Sequence, residues 1–131
     1  MICETGHKAN CRRITALYLC LLMIFVGHVF EEIQGNFKAI EYLGLVWFMV
    51  INWIFISILA ALFYFIMIGK RWAYICGIVY AGLLILNGLA HNIGLIITRQ
   101  YYGGVAGSFT GLAYLVIGPM LIVQLWKGVK R

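Results

Sequence analysis

The sequence predicts an all-α integral membrane protein, a four-helix bundle with both termini on the cytoplasmic side. Three observations carry that expectation. Hydrophobic residues make up 64% of the 131 residues and charged residues only 11%, with a mean hydropathy of +0.98, whereas a soluble domain carries roughly 25% charged residues. Apolar runs long enough to cross a bilayer, about 20 residues each, occur four times. The charges fall in short clusters between those runs, which is the pattern of membrane loops. The same composition excludes a disordered chain. It also turns the net charge of +6 from a nucleic-acid signal into a topological one, so no nucleic-acid partner is expected.

The elements follow in order. Residues 1–13 form a basic cytoplasmic segment with Lys8, Arg12 and Arg13. The first span covers about 14–33; it has the basic approach of a signal peptide but no small-residue cleavage site, and is read as a mature helix. Leu19 occupies the small-residue position of a lipoprotein-like box before Cys20. The second span covers about 44–68, the third about 72–98 and the fourth about 105–126, and a basic tail fills 127–131. The apolar runs lack the alternation of barrel strands, so their backbone groups must pair within helices. Eight basic residues lie on the side of the termini and of Lys70–Arg71, against Lys38 and Arg99 on the other, and the positive-inside rule makes the first side cytoplasmic. The stretch Phe37–Tyr42 reads as a short amphipathic piece on the outer side. Gly103, Gly107 and Gly111 share a face of the expected fourth helix, a packing device for a neighbour, and Pro119 is expected to kink that helix. All four cysteines are expected as free thiols in a reducing compartment. The cell membrane, with its lipids as partners and a possible homo-oligomer, is the expected setting.

Ionisable groups at membrane depth usually face a protein interior and mark a site. His28, Glu31 and Glu32 stand at i, i+3 and i+4, on one helix face. At roughly 1.5 Å per residue from the cytoplasmic end, His28 rises about 21 Å, Glu32 about 27 Å, Asn87 about 22 Å and His91 about 28 Å. Asn52 and Thr110 enter the same layer. Separate helices therefore converge on one polar pocket. Two imidazoles and a carboxylate suit zinc or another divalent first-row ion, with three protein ligands and an open position.

The inverse zinc motif H-x-x-E-H puts ligands at i and i+4 and a general base at i+3. That spacing makes His28 and Glu32 ligands, His91 the third ligand and Glu31 the base for a metal-bound water. Spacing alone leaves the two glutamates exchangeable. Asn87, Arg99 and Tyr101 are the candidate substrate contacts. The plain alternatives are a packed or interfacial His91, headgroup-facing glutamates, Arg99 as an interface anchor, and Tyr101 with Tyr102 and Trp47 in an aromatic belt.

His28-Val29-Phe30-Glu31-Glu32 in a first membrane helix resembles the defining motif of the HXXEE domain family, small four-helix membrane proteins of prokaryotes. The likeness extends to a later histidine, His91, and to a Tyr-x-Pro-Gly element, which here reads Tyr101-Tyr102-Gly103-Gly104 without the proline. The resemblance implies a membrane protein with an enzymatic or metal role and names no substrate. The expected function is a metal-dependent enzyme, a hydrolase acting on a lipid-like or amphipathic substrate near the outer leaflet. The rivals are a non-catalytic proton or cation carrier using the same cluster and a bis-histidine haem site between His28 and His91.

Overall fold

The computed structural model describes residues 8–130. The expectations for Cys3, for the first seven residues of the basic segment and for Arg131 lie outside the described residues. Four long helices dominate: α1 (Lys8–Gln34), α3 (Leu45–Met67), α4 (Arg71–Thr98) and α5 (Ser108–Val129). The short helix α2 (Lys38–Leu43) follows α1, and a single π-helical turn, Tyr101–Val105, precedes α5. All four long helices are long and apolar enough to cross a membrane, and the chain reads as a multi-pass membrane protein.

The breaks between helices fall where the backbone needs unusual angles. After α1, Gly35 donates to the Glu31 carbonyl and Asn36 takes a φ of 51°. Gly44 (φ 75°) separates α2 from α3, and Gly69 (φ 75°) turns α3 into α4. Only glycine enters that left-handed region without steric cost. At the end of α4, Arg99 takes the left-handed C-cap position with φ 56°.

The helices run alternately up and down. At one end the Thr15 hydroxyl meets the Met67 sulfur at 3.4 Å, and Gly128 packs on the ring of Tyr74. Arg12, Arg13, Lys70, Arg71, Lys127 and Lys130 belong to that end. The opposite end carries α2, the π turn and the polar layer. Helices α4 and α5 pack most closely and α1 lies against α5, while α3 is held more loosely by α1 and α4. Gly88 on α4 and Gly111 on α5 meet backbone to backbone, leaving no room for a side chain at either. Tyr18, Leu21, Ala81, Tyr114, Leu121 and Leu125 are fully buried at the centre. The outer faces stay apolar, with Trp47, Ile96, Ile97 and Phe109 all more than 60% exposed. That surface suits hydrocarbon and not water.

Three expectations are corrected. Helix α5 begins at Ser108 and not at 105, because Gly107 at φ 107° stops helical propagation. The glycine stripe is therefore not one helical face: Gly103 lies in the π turn, Gly107 caps α5, and Gly111 packs on Gly88 of α4. Cys20 and Cys76 are free thiols, but Cys11 is disulfide-bonded, which counts against the reducing compartment expected at that end. Pro119 sits inside α5 without ending it.

Candidate metal centre

The polar layer is built by three long helices under the cap made by α2 and the π turn. His28 and Glu32 stand one turn apart on α1, so both side chains project from the same face toward α4 and α5. His91 projects from α4 to meet them, and all three residues are buried. His28 Nε2 lies 3.4 Å and His91 Nε2 3.3 Å from the same atom, Glu32 Oε1. One potential ligand atom from each residue falls within 4.8 Å of the other two. The imidazoles meet edge to face, with centroids 4.9 Å apart.

Gly107 makes this meeting possible. A Cβ there would stand 2.5 Å from His28 Cε1, closer than carbon atoms approach, and at a tight 3.1 Å from His91 Cε1. The bare backbone of the α5 cap is thus the floor on which both rings rest. Phe37 covers His91 from the other side, its ring centroid 5.0 Å away, and Tyr114 lies 5.2 Å from His28. The Ser108 hydroxyl, 2.8 Å from the Val105 carbonyl and 3.1 Å from that of His91, ties the cap to α4.

Glu31 does different work. Its Oε1 accepts from the Phe109 N–H at 2.9 Å and from the Tyr101 hydroxyl. Its Oε2 accepts from the Thr110 N–H at 2.8 Å and from the Thr110 hydroxyl at 2.5 Å. Two of these donors are free N–H groups of the first turn of α5, where a negative charge also complements the helix dipole. Four donors fill the acceptor sites of one carboxylate.

A carboxylate that only accepts fixes the hydrogens around it. The Thr110 hydroxyl proton points to Glu31, so its oxygen accepts the Nδ1–H of His28 at 2.8 Å. His28 Nε2 is then an acceptor whose single lone pair takes the Asn87 amide N–H at 2.9 Å, a bond that an ion at this nitrogen would displace. His91 Nδ1 lies 3.4 Å from the Val105 carbonyl, which directs Nε2 of this ring toward Glu32. Metal-binding histidines are oriented in this way by partners on the far ring nitrogen.

Of the expected site residues, His28, Glu32 and His91 come together and Asn87 touches the group through His28. Glu31 and Tyr101 meet each other beside it. Burial first, and then the bond to Glu31, push the Tyr101 hydroxyl up to about 12. Arg99 is exposed at the α4 terminus, apart from the group. Asn52 reaches the layer but donates to the Phe48 carbonyl of its own helix at 2.9 Å. The residues that sequence reasoning missed are Gly107, Ser108 and Phe37. The glycine-rich run before α5 is the one sequence signal for the first, and its four-residue spacing reads equally as a helix face.

Fold and site together define a multi-pass membrane protein with a buried His/Glu group that could hold a metal ion. Comparison with protein-family models, curated proteins and solved structures returned no match.

Proposed function

We propose that His28, Glu32 and His91 hold a divalent ion such as zinc, and that the centre serves a metal-dependent hydrolase acting on an amphipathic substrate of the membrane. One observation carries the metal: the spacing of 3.3 and 3.4 Å between each Nε2 and Glu32 Oε1. A direct charge-assisted N–H···O bond closes to about 2.7–2.9 Å. Two ligands bonded at about 2.0–2.1 Å in a tetrahedron stand about 3.3 Å apart. The separation fits ligands around a shared centre better than a bonded ion pair.

Charge supports the same reading. Glu32 brings a negative charge into a low-dielectric layer, where an uncompensated charge is costly, and a cation bound to it would offset that charge, while Glu31 is already satisfied by its four donors. An ion held by three residues keeps a position for water or substrate, and would supply Lewis-acid polarisation of a carbonyl or a bound water of lowered pKa. Here Glu31 is a positioning residue: it holds Thr110, and Thr110 holds His28. A base role for Glu31, expected from the H-x-x-E-H spacing, would require it to release one of its four donors. The likeness to the HXXEE family then has a physical content, with His28 and Glu32 as ligands and Glu31 as the clamp between the first helix and the last. The basic end of the bundle faces the cytoplasm by the positive-inside rule, which sets the centre near the outer leaflet.

Elemental analysis of the purified protein tests the metal. About one divalent ion per chain is expected, lost in His28→Ala, Glu32→Ala and His91→Ala. Wild-type protein that stays metal-free after incubation with zinc, cobalt or manganese overturns the reading. Metal-dependent ion flux across vesicles, with no ester or amide cleavage, would replace the hydrolase by a carrier.

A further inference from the structure

Beside the His/Glu group a cavity of about 320 Å³ opens between α1, α3 and α4. Four of its polar residues gather at one end, His28, Glu32, Asn52 and Asn87, and the Tyr80 hydroxyl is, among the described residues, the single polar group at the other. From the His/Glu end it descends along two helices at once, from Asn52 to Leu59 on α3 and from Asn87 to Tyr80 on α4, with Phe25, Phe55 and Leu84 among its apolar walls. Seven residues of helix give each wall a drop of about 10 Å. Leu59 and Leu84, both about 5% exposed, close the inner side. Phe55 and Leu83 line the cavity and are also more than half exposed on the outer surface, so it communicates with the surroundings past α3, the loosest helix.

We infer that this cavity binds the hydrocarbon chain of a single-chain acyl amphiphile, inserted from the side past α3, with the ester or amide head at His28 and Glu32. An apolar void of that size left unfilled forfeits packing contacts on every wall, and at membrane depth the material available to fill it is hydrocarbon. The polar end explains the direction, since a head group needs acceptors and donors and a methyl terminus needs none. The volume sits at the lower end of the range for ligand sites, which suits one chain and not two. Leu59, Leu84 and Tyr80 become the residues that set chain length. The placement of the head rests on the metal reading; the placement of the chain does not.

The test uses the full-length protein in lipid nanodiscs with two lysophosphatidylcholine probes, one bearing a photoreactive diazirine next to the ester and one at the chain terminus. Adducts are mapped by mass spectrometry, and bound metal is measured in the same samples. The terminal probe is expected on Leu59 or Tyr80 and the ester-proximal probe on Asn52 or Asn87. Narrowing the cavity midway down with Leu84→Phe should lower terminal-probe labelling of Leu59 and Tyr80 by about tenfold and leave labelling of the lipid-facing Ile96 and Ile97 unchanged. Labels confined to lipid-facing side chains, or the two probes in reversed order, overturn the inference even if metal is bound. Correctly ordered labels on a protein that never binds metal sustain the chain site and remove the metal centre. The order of the two probes on wild-type protein decides the matter if Leu84→Phe does not fold.

Discussion

A saturated carboxylate is a structural part, and Glu31 should behave as one. Glu31→Gln leaves one acceptor oxygen and an amide N–H₂ facing donors from α5, so a loss of roughly 2–4 kcal/mol of stability is expected, readable as a lower unfolding temperature in detergent. Thr110→Val removes the hydroxyl between Glu31 and His28 and should weaken metal binding by about 10–100-fold, with Thr110→Ser restoring it; equal affinity in the valine variant would detach the clamp from the centre. Tyr101 supplies a pH signature. Its folded-state value of about 12 stands above the ordinary 10, so what the phenol contributes to stability is fully present below pH 10 and disappears as pH rises through about 12. An ultraviolet titration should show a phenolate transition near pH 12 that is lost in Tyr101→Phe. The meeting of His28, Glu32 and His91 in one buried group was legible in sequence because i and i+4 share a face and because depth can be counted along helices. The division of labour between Glu31 and Glu32 was not. Neighbouring residues point about 100° apart, and which one meets α4 depends on the rotation of α1, which only packing decides.

Among the elements, the beginning of α5 matters most. Gly107 combines a left-handed backbone with contact to both imidazoles, so Gly107→Ala is strained twice. A loss of about 1–3 kcal/mol is expected from the backbone alone, together with loss of metal because the rings must separate. A variant that binds zinc as wild type would show that the cap is not the floor of the site. The four spans were readable from apolar run length, and their ends at Gly35, Gly44 and Gly69 were readable as loops. The start of α5 was misjudged because Val105-Ala106-Gly107-Ser108 is as apolar as a helix. Composition carries no record of a φ angle, and the pairing of Glu31 with the free N–H groups of Phe109 and Thr110 depends on residues almost eighty positions apart.

For the whole molecule, the lipid-facing surface gives the most direct check. Cys20 is an exposed thiol in the middle of α1, so in intact membranes it should react with an apolar maleimide and resist a charged, membrane-impermeant one, whereas Cys76, five residues from the start of α4, serves as the control near the surface. Ready reaction of Cys20 with the charged reagent would place that face in water and refute the spanning arrangement.

The ties described at the polar end also distribute motion unevenly. Glu31 joins α1 to α5, Ser108 joins α5 to α4, and Gly88 packs tightly against Gly111, while α3 is tied only in its inner half, where the Tyr18 hydroxyl donates to the Leu59 carbonyl at 3.0 Å and Thr15 meets Met67. Three helices therefore act as a frame at the polar end and the outer half of α3 as a door on it. Exchange of anything lodged inside should be governed by how often α3 swings, so a cross-link from α3 to α4 should slow both entry and escape while leaving the ion-binding side chains undisturbed.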